Sequence, residues 1–113
     1  MQDKNKWHRR TTAFMGQVAK ELGIPRNKRT IHSNKGGNAV GGEVTMSAPE
    51  FGVYVHLTCP VNSYGMEDRI GSNYVRRATA DDPYGTAIDK QNHFLTTQLN
   101  PTEIADFCRK IVT

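Results

Sequence analysis

From Phe51 to Thr58 the chain alternates strictly: Val53, Val55 and Leu57 fall on one side of an extended backbone, Tyr54 and His56 on the other. Successive strand residues point to opposite faces. A strand written this way is half buried, with one face needing cover and one face tolerating water. The rest of the chain must therefore supply neighbouring strands and a covering layer.

Both are legible. Glu43 to Ser47 alternates polar and apolar residues, Thr30-Ile31-His32 reads as a shorter strand, and Ser72 to Ala78 sets Tyr74, Arg76 and Ala78 against Val75 and Arg77. His93 to Leu99 is a further strand. Asn34-Lys35-Gly36-Gly37-Asn38 and Ala48-Pro49-Glu50 supply turns. The long polar stretch 79–92, beginning Thr79-Ala80-Asp81-Asp82-Pro83, reads as a loop.

The cover comes from the two ends. Trp7, Phe14, Val18 and Leu22 recur at helical spacing with Met15 and Ala19 beside them, predicting a helix from Asp3 to Leu22. Asp3 is its N-cap, or Thr11 or Thr12 if it begins later; Gly23 suits the position after its end and Pro25 forbids continuation. Gly16 is an interior weakness of about 1 kcal/mol, or a point where another backbone comes close. Asn100-Pro101-Thr102-Glu103 gives an N-cap, a proline at the first turn and an acid at N3. Ile104, Phe107, Cys108 and Ile111 then form an apolar stripe, and Asp106 stands four residues before Lys110.

The order α-β-β-β-β-(β)-α predicts an α+β fold, an antiparallel sheet of four to five strands flanked by an N-terminal and a C-terminal helix, in a single domain over 1–113. With 36% hydrophobic and 23% charged residues the core is modest and large cofactor cavities are not expected, so no cofactor is assigned. No apolar run approaches the ~18 residues of a membrane span, and the N-terminal Met1 to Trp7 is not a secretory signal, so a cytoplasmic location is expected. Cys59 and Cys108 are then free, partly buried thiols.

Motifs for chemistry are weak. Lys35 to Gly42 is glycine-rich, but it lacks the order of a phosphate loop and precedes a strand, so it reads as a hairpin turn. His56 and Cys59 are three apart, with His8, His32 and His93 scattered, which is too few paired ligands for structural zinc; no metal is assigned. Glu67-Asp68 and Asp81-Asp82 read as solvated loop acids. A nucleophile–base pair of Cys59 with His56 would need the Pro60 bend to bring opposite strand faces together.

Charge is more telling. Residues 1–35 hold nine Lys or Arg against Asp3 and Glu21, a net +7, whereas residues 36–113 hold six bases against nine acids, a net −3. A field concentrated in this way draws nucleic acid or another acidic surface. Tyr54 and His56 on the open face, with Tyr74 and Arg76 on a neighbouring strand, add side chains suited to base stacking or to a protein interface.

The segment Ile31-His32-Ser33-Asn34-Lys35-Gly36-Gly37-Asn38-Ala39-Val40-Gly41-Gly42-Glu43-Val44-Thr45-Met46, with Tyr54-Val55-His56 and Gln91-Asn92-His93-Phe94, resembles small uncharacterised proteins of bacterial phages, plasmids and integrative elements. The likeness covers about half the chain and brings no catalytic residues. It implies an accessory factor that binds nucleic acid or blocks a host defence complex, as anti-CRISPR proteins do. The expectation is a non-enzymatic binder. Arg9, Arg10, Arg26, Lys28, Arg29 and Lys35 supply the electrostatics, and Tyr54, His56, Tyr74 and Arg76 the specific contacts. A homodimer joined through sheet faces or edges is the second reading, and a small enzyme with a site near His56, Cys59 and His93 the third.

Overall fold

A computed structural model describes residues 4–36, 41–60, 73–85, 92–95 and 100–112. Helix α1 runs Lys4–Glu21 and helix α2 Pro101–Val112. Between them lie β1 (Thr30–Asn34), β2 (Glu43–Ala48), β3 (Val53–Thr58), β4 (Tyr74–Arg77) and β5 (His93–Phe94). The strands form one antiparallel meander in the order β1-β2-β3-β4-β5, so the fold is α+β with a helix at either end.

The register explains the two faces. Ile31, Met46, Val55 and Val75 stand in one cross-strand row, and His32, Thr45, His56 and Tyr74 in the next. Met46, Val55 and Val75 are fully buried and meet Met15, Val18 and Ala19 from α1 and Ile104 and Cys108 from α2. Each such side chain contributes about 1.5–3 kcal/mol by leaving water. The second row looks away from the helices.

Helix α1 ends as its residues dictate. The amide of Gly23 donates to Lys20 O at 3.0 Å and that of Ile24 to Ala19 O at 2.9 Å, with Gly23 at φ 72. This paired 5→2 and 6→1 arrangement needs a left-handed residue, which glycine adopts without strain. The guanidinium of Arg109 on α2 donates to Glu21 O, tying the two helices together at this end. At the start of α2, Asn100 Oδ1 accepts the Glu103 amide at 2.8 Å, the cap expected from Asn-Pro-Thr-Glu.

Several expectations are corrected. Helix α1 does not begin at Thr11 or Thr12; both are interior, and Thr12 Oγ1 donates back to His8 O at 2.7 Å. The Asp3 cap lies outside the described residues. The buried stripe is His8, Thr11, Met15, Val18 and Ala19, while Trp7, Phe14 and Leu22 are only partly buried. The stripe is thus rotated toward two polar residues that apolar periodicity does not count. Gly16 faces no backbone, for a Cβ added there meets nothing within 4 Å.

Phe51 belongs to a 3-10 turn, Pro49–Phe51, rather than to β3, because Gly52 at φ 77 resets the chain before the strand. A second such turn, Arg26–Lys28, follows Pro25. Asp82 is buried rather than a solvated loop acid, in a turn whose ends, Thr79 and Asp82, exchange backbone hydrogen bonds. Asp106 pairs with Arg109 at 2.6 Å, three residues on. Glu67, Asp68, residues 37–40, 86–91 and 96–99 fall outside the described residues, and with them parts of the expected turns, loop and last strand.

Candidate nucleic-acid interface

The residues singled out in the sequence separate into two groups with the sheet between them. The cations belong to α1 and to the segment and edge strand beside it. The aromatic residues sit on the sheet face turned away from the helices.

On the helix side, two clefts follow one flank of α1. The first, about 290 Å³, is bordered by Asn5, His8, Arg9 and Thr12 of α1 and by Ser33 and Lys35. The second, about 680 Å³, is bordered by Ala13, Gly16, Gln17 and Lys20 and by Gly23, Ile24, Pro25, Arg26 and Arg29. Arg9, Ala13, Gly16 and Lys20 are spaced i, i+4, i+7 and i+11, so they lie in one row along the helix. The two clefts share no lining residue and succeed one another along this row, forming an interrupted trough. Arg9, Lys20, Arg26, Arg29 and Lys35 line it, and among the described residues no Asp or Glu borders either part.

The trough is held in shape by bonds that leave these charges outward. His8, 1% exposed, bridges α1 to the β1–β2 connection: Nε2 donates to Gly41 O at 2.7 Å and Nδ1 lies 2.7 Å from Ser33 Oγ. A carbonyl can only accept, so Nε2 carries the proton. Arg29 Nη1 donates to Ile24 O at 3.2 Å, which orients the guanidinium along the lower cleft. Lys4 Nζ donates to Lys35 O at 2.9 Å.

Two of the expected cations stand apart. Lys28 points to Glu50, with Nζ 2.9 Å from Oε2. Arg10 is exposed on α1 but sits about 100° around the helix from Arg9 and borders neither cleft.

On the opposite face, Tyr54, His56, Tyr74 and Arg76 do come together, but onto one another. The rings of His56 and Tyr74 are stacked with centroids 4.5 Å apart and planes 8° from parallel. The Arg76 guanidinium lies 4.8 Å from the centre of the Tyr74 ring. Arg76 Nε donates to Asn92 Oδ1 at 2.6 Å and Nη1 to Tyr84 O at 3.2 Å. Tyr84 meets Tyr54 edge-on at 5.7 Å, and Ser47 Oγ donates to Pro83 O at 2.6 Å. The turn 79–85 therefore folds over this part of the sheet, and Tyr54 is only 7% exposed.

Burial shifts the titrating groups here. Loss of solvent pushes the Tyr54 phenol up to about 12, with the neighbouring Tyr74 adding to it and Arg76 opposing. Loss of solvent lowers His56, against the pull of Glu43. The Tyr54 hydroxyl and His56 Nδ1 lie within hydrogen-bonding distance, 3.2 Å apart.

The residues of the enzyme reading are distributed over both sides of the sheet. His56 lies on this open face, whereas His93 registers with Val75 on the helix-covered side, and Cys59 is buried. Both cysteines are free thiols, and burial pushes Cys108 up to about 12. The described residues contain no cluster of three or more metal-ligating side chains, and no described helix is long and apolar enough to cross a membrane.

No family model, curated protein or solved structure matches this chain.

Proposed function

We propose that this protein is a non-enzymatic binder of nucleic acid, and that the trough along α1 receives the phosphate backbone. One observation carries the reading: five cations border two successive clefts along α1, and no Asp or Glu is among the described residues that line them. Phosphate contacts of this kind need only positive charge and access, not an elaborate pocket. The likeness of Ile31 to Met46 to proteins of phages and plasmids supports a setting in a mobile element. There the partner is nucleic acid itself, or the nucleic acid carried by a host defence complex, as for an anti-CRISPR-like inhibitor.

The test is co-elution and anisotropy with mixed DNA and RNA, with light scattering on the free protein. Five phosphate contacts give a slope of log affinity on log salt of about −4.5, a loss of about 500-fold from ~50 to ~200 mM salt. Alanine at Arg9, Lys20 and Arg26 together should reduce that slope by about three. Absence of binding at low salt refutes the reading and turns the search to a protein partner. The scattering mass reports independently on a homodimer.

A further inference from the structure

We infer that the nucleic acid is duplex DNA, with α1 lying in its major groove and the trough beside it holding one phosphate ridge. This rests on the phosphate-binding reading above and adds to it what the trough alone does not specify.

The outward side of α1 is built for close approach to an anion. The one acid of α1 is the exposed Glu21 at its last position. Its 18 residues span about 27 Å. Arg9, Ala13, Gln17 and Lys20 are exposed, and beside them Gly16 leaves bare helix backbone with open space above it. The middle of this side is therefore low, with long polar side chains above and below. A helix is about 10–12 Å across with its side chains, and the major groove of B-form DNA is about 12 Å wide. Arginine and glutamine are the side chains that bond in pairs to the exposed edges of guanine and adenine. With α1 seated in the groove, the adjoining phosphate ridge falls into the trough, against Arg9, Lys20, Arg26, Arg29 and Lys35.

The alternatives fit less well. Single strands are held by aromatic rings interleaved with cations. Among the described residues the one ring bordering the trough, His8, is 1% exposed, and the Tyr54–His56–Tyr74 cluster is on the far side of the sheet. Duplex RNA presents a major groove too deep and narrow for a helix.

The experiment uses the whole chain with a short labelled DNA duplex of mixed sequence, the same sequence as duplex RNA, and each single strand. Binding is read by anisotropy, and groove occupancy by methylation of guanine N7 with dimethyl sulfate. The expected result is preference for the DNA duplex with N7 protected, and about tenfold weaker duplex binding for Gln17→Ala at an unchanged salt slope. Gln17 is exposed, so an unaltered unfolding midpoint certifies that the variant is folded. Equal or tighter binding of duplex RNA or single strands, or DNA binding with N7 unprotected, overturns the major-groove inference and leaves phosphate binding intact. Failure to bind any of the probes at low salt overturns both.

Discussion

His8 spans from the first helix to Gly41, donating from Nε2 to the glycine carbonyl across 2.7 Å while its other nitrogen meets Ser33. One buried ring thus fixes the helix to both strands' ends of the β1–β2 connection, on which Lys35 stands. Replacing His8 with Phe keeps the bulk but leaves the Gly41 carbonyl and the Ser33 hydroxyl without this partner. The expected cost is about 1–3 kcal/mol, read as a lower urea midpoint. Amide exchange at Lys35 and Gly41 should accelerate more than exchange in β3.

Lys28 separates two versions of the electrostatic reading. If net charge alone drives binding, every N-terminal cation counts equally. The ion pair of Lys28 with Glu50 at 2.9 Å removes its charge from the field, whereas Arg26, two residues before it, borders the trough. Lys28→Ala should leave the salt slope within measurement of the parent, and Arg26→Ala should reduce it by about one. The exposed Lys28–Glu50 pair contributes only about 0–1 kcal/mol, so the folded fraction of Lys28→Ala should not change the comparison.

The β3 alternation carried most of the architecture. Once Val53, Val55 and Leu57 must be covered, the neighbouring strands and the two terminal helices have few other arrangements, and the meander follows from short connections. The candidate sites were less legible, for two physical reasons. Sequence position ranks all cations alike, but only three-dimensional pairing distinguishes Lys28 from Arg26. The same limit hid His8, because a polar residue enters the core only when a distant carbonyl or hydroxyl awaits it. The one available sign for His8 was its spacing: it lies seven residues before Met15, on the same helical row. Tyr54, His56, Tyr74 and Arg76 were correctly grouped by alternation, yet alternation says nothing of the turn 79–85 that folds over them.

The Tyr54–His56 pair makes opposite demands at the two ends of the pH scale. His56 has its folded pKa lowered from 6.5, so the unfolded chain takes up this proton first as pH falls. Its contribution is complete above about pH 7 and declines below 6.5. Tyr54 is raised from 10.0 to about 12, so the unfolded chain loses this proton first as pH rises. Its contribution is complete below pH 10 and declines between 10 and about 12. Urea midpoints of His56→Gln should therefore lose the acid-side decline relative to the parent. In an absorbance titration of the folded protein, Tyr54 should ionise near 12 rather than 10.0, a phase that Tyr54→Phe abolishes.

Gly85 provides the sharpest test of whether the turn 79–85 holds the aromatic cluster closed. It sits at φ 67, and a Cβ there would fall 2.4 Å from Arg77 O and 2.7 Å from Arg76 Cβ. A left-handed backbone costs a non-glycine residue about 1–2 kcal/mol; the clash with the β4 backbone adds to this, because a strand carbonyl in a ladder does not swing aside as a flexible side chain would. Gly85→Ala should therefore lift the turn rather than distort β4. The bonds from Ser47 to Pro83 O and from Arg76 to Tyr84 O would go with it, opening Tyr54 to water. The expected outcome is a lower unfolding midpoint together with a Tyr54 ionisation moved back toward 10.0 in the folded state. Binding through the trough should be unchanged, since the sheet separates the two surfaces. A variant that loses stability while Tyr54 still titrates near 12 would place the closure of the cluster elsewhere than in this turn.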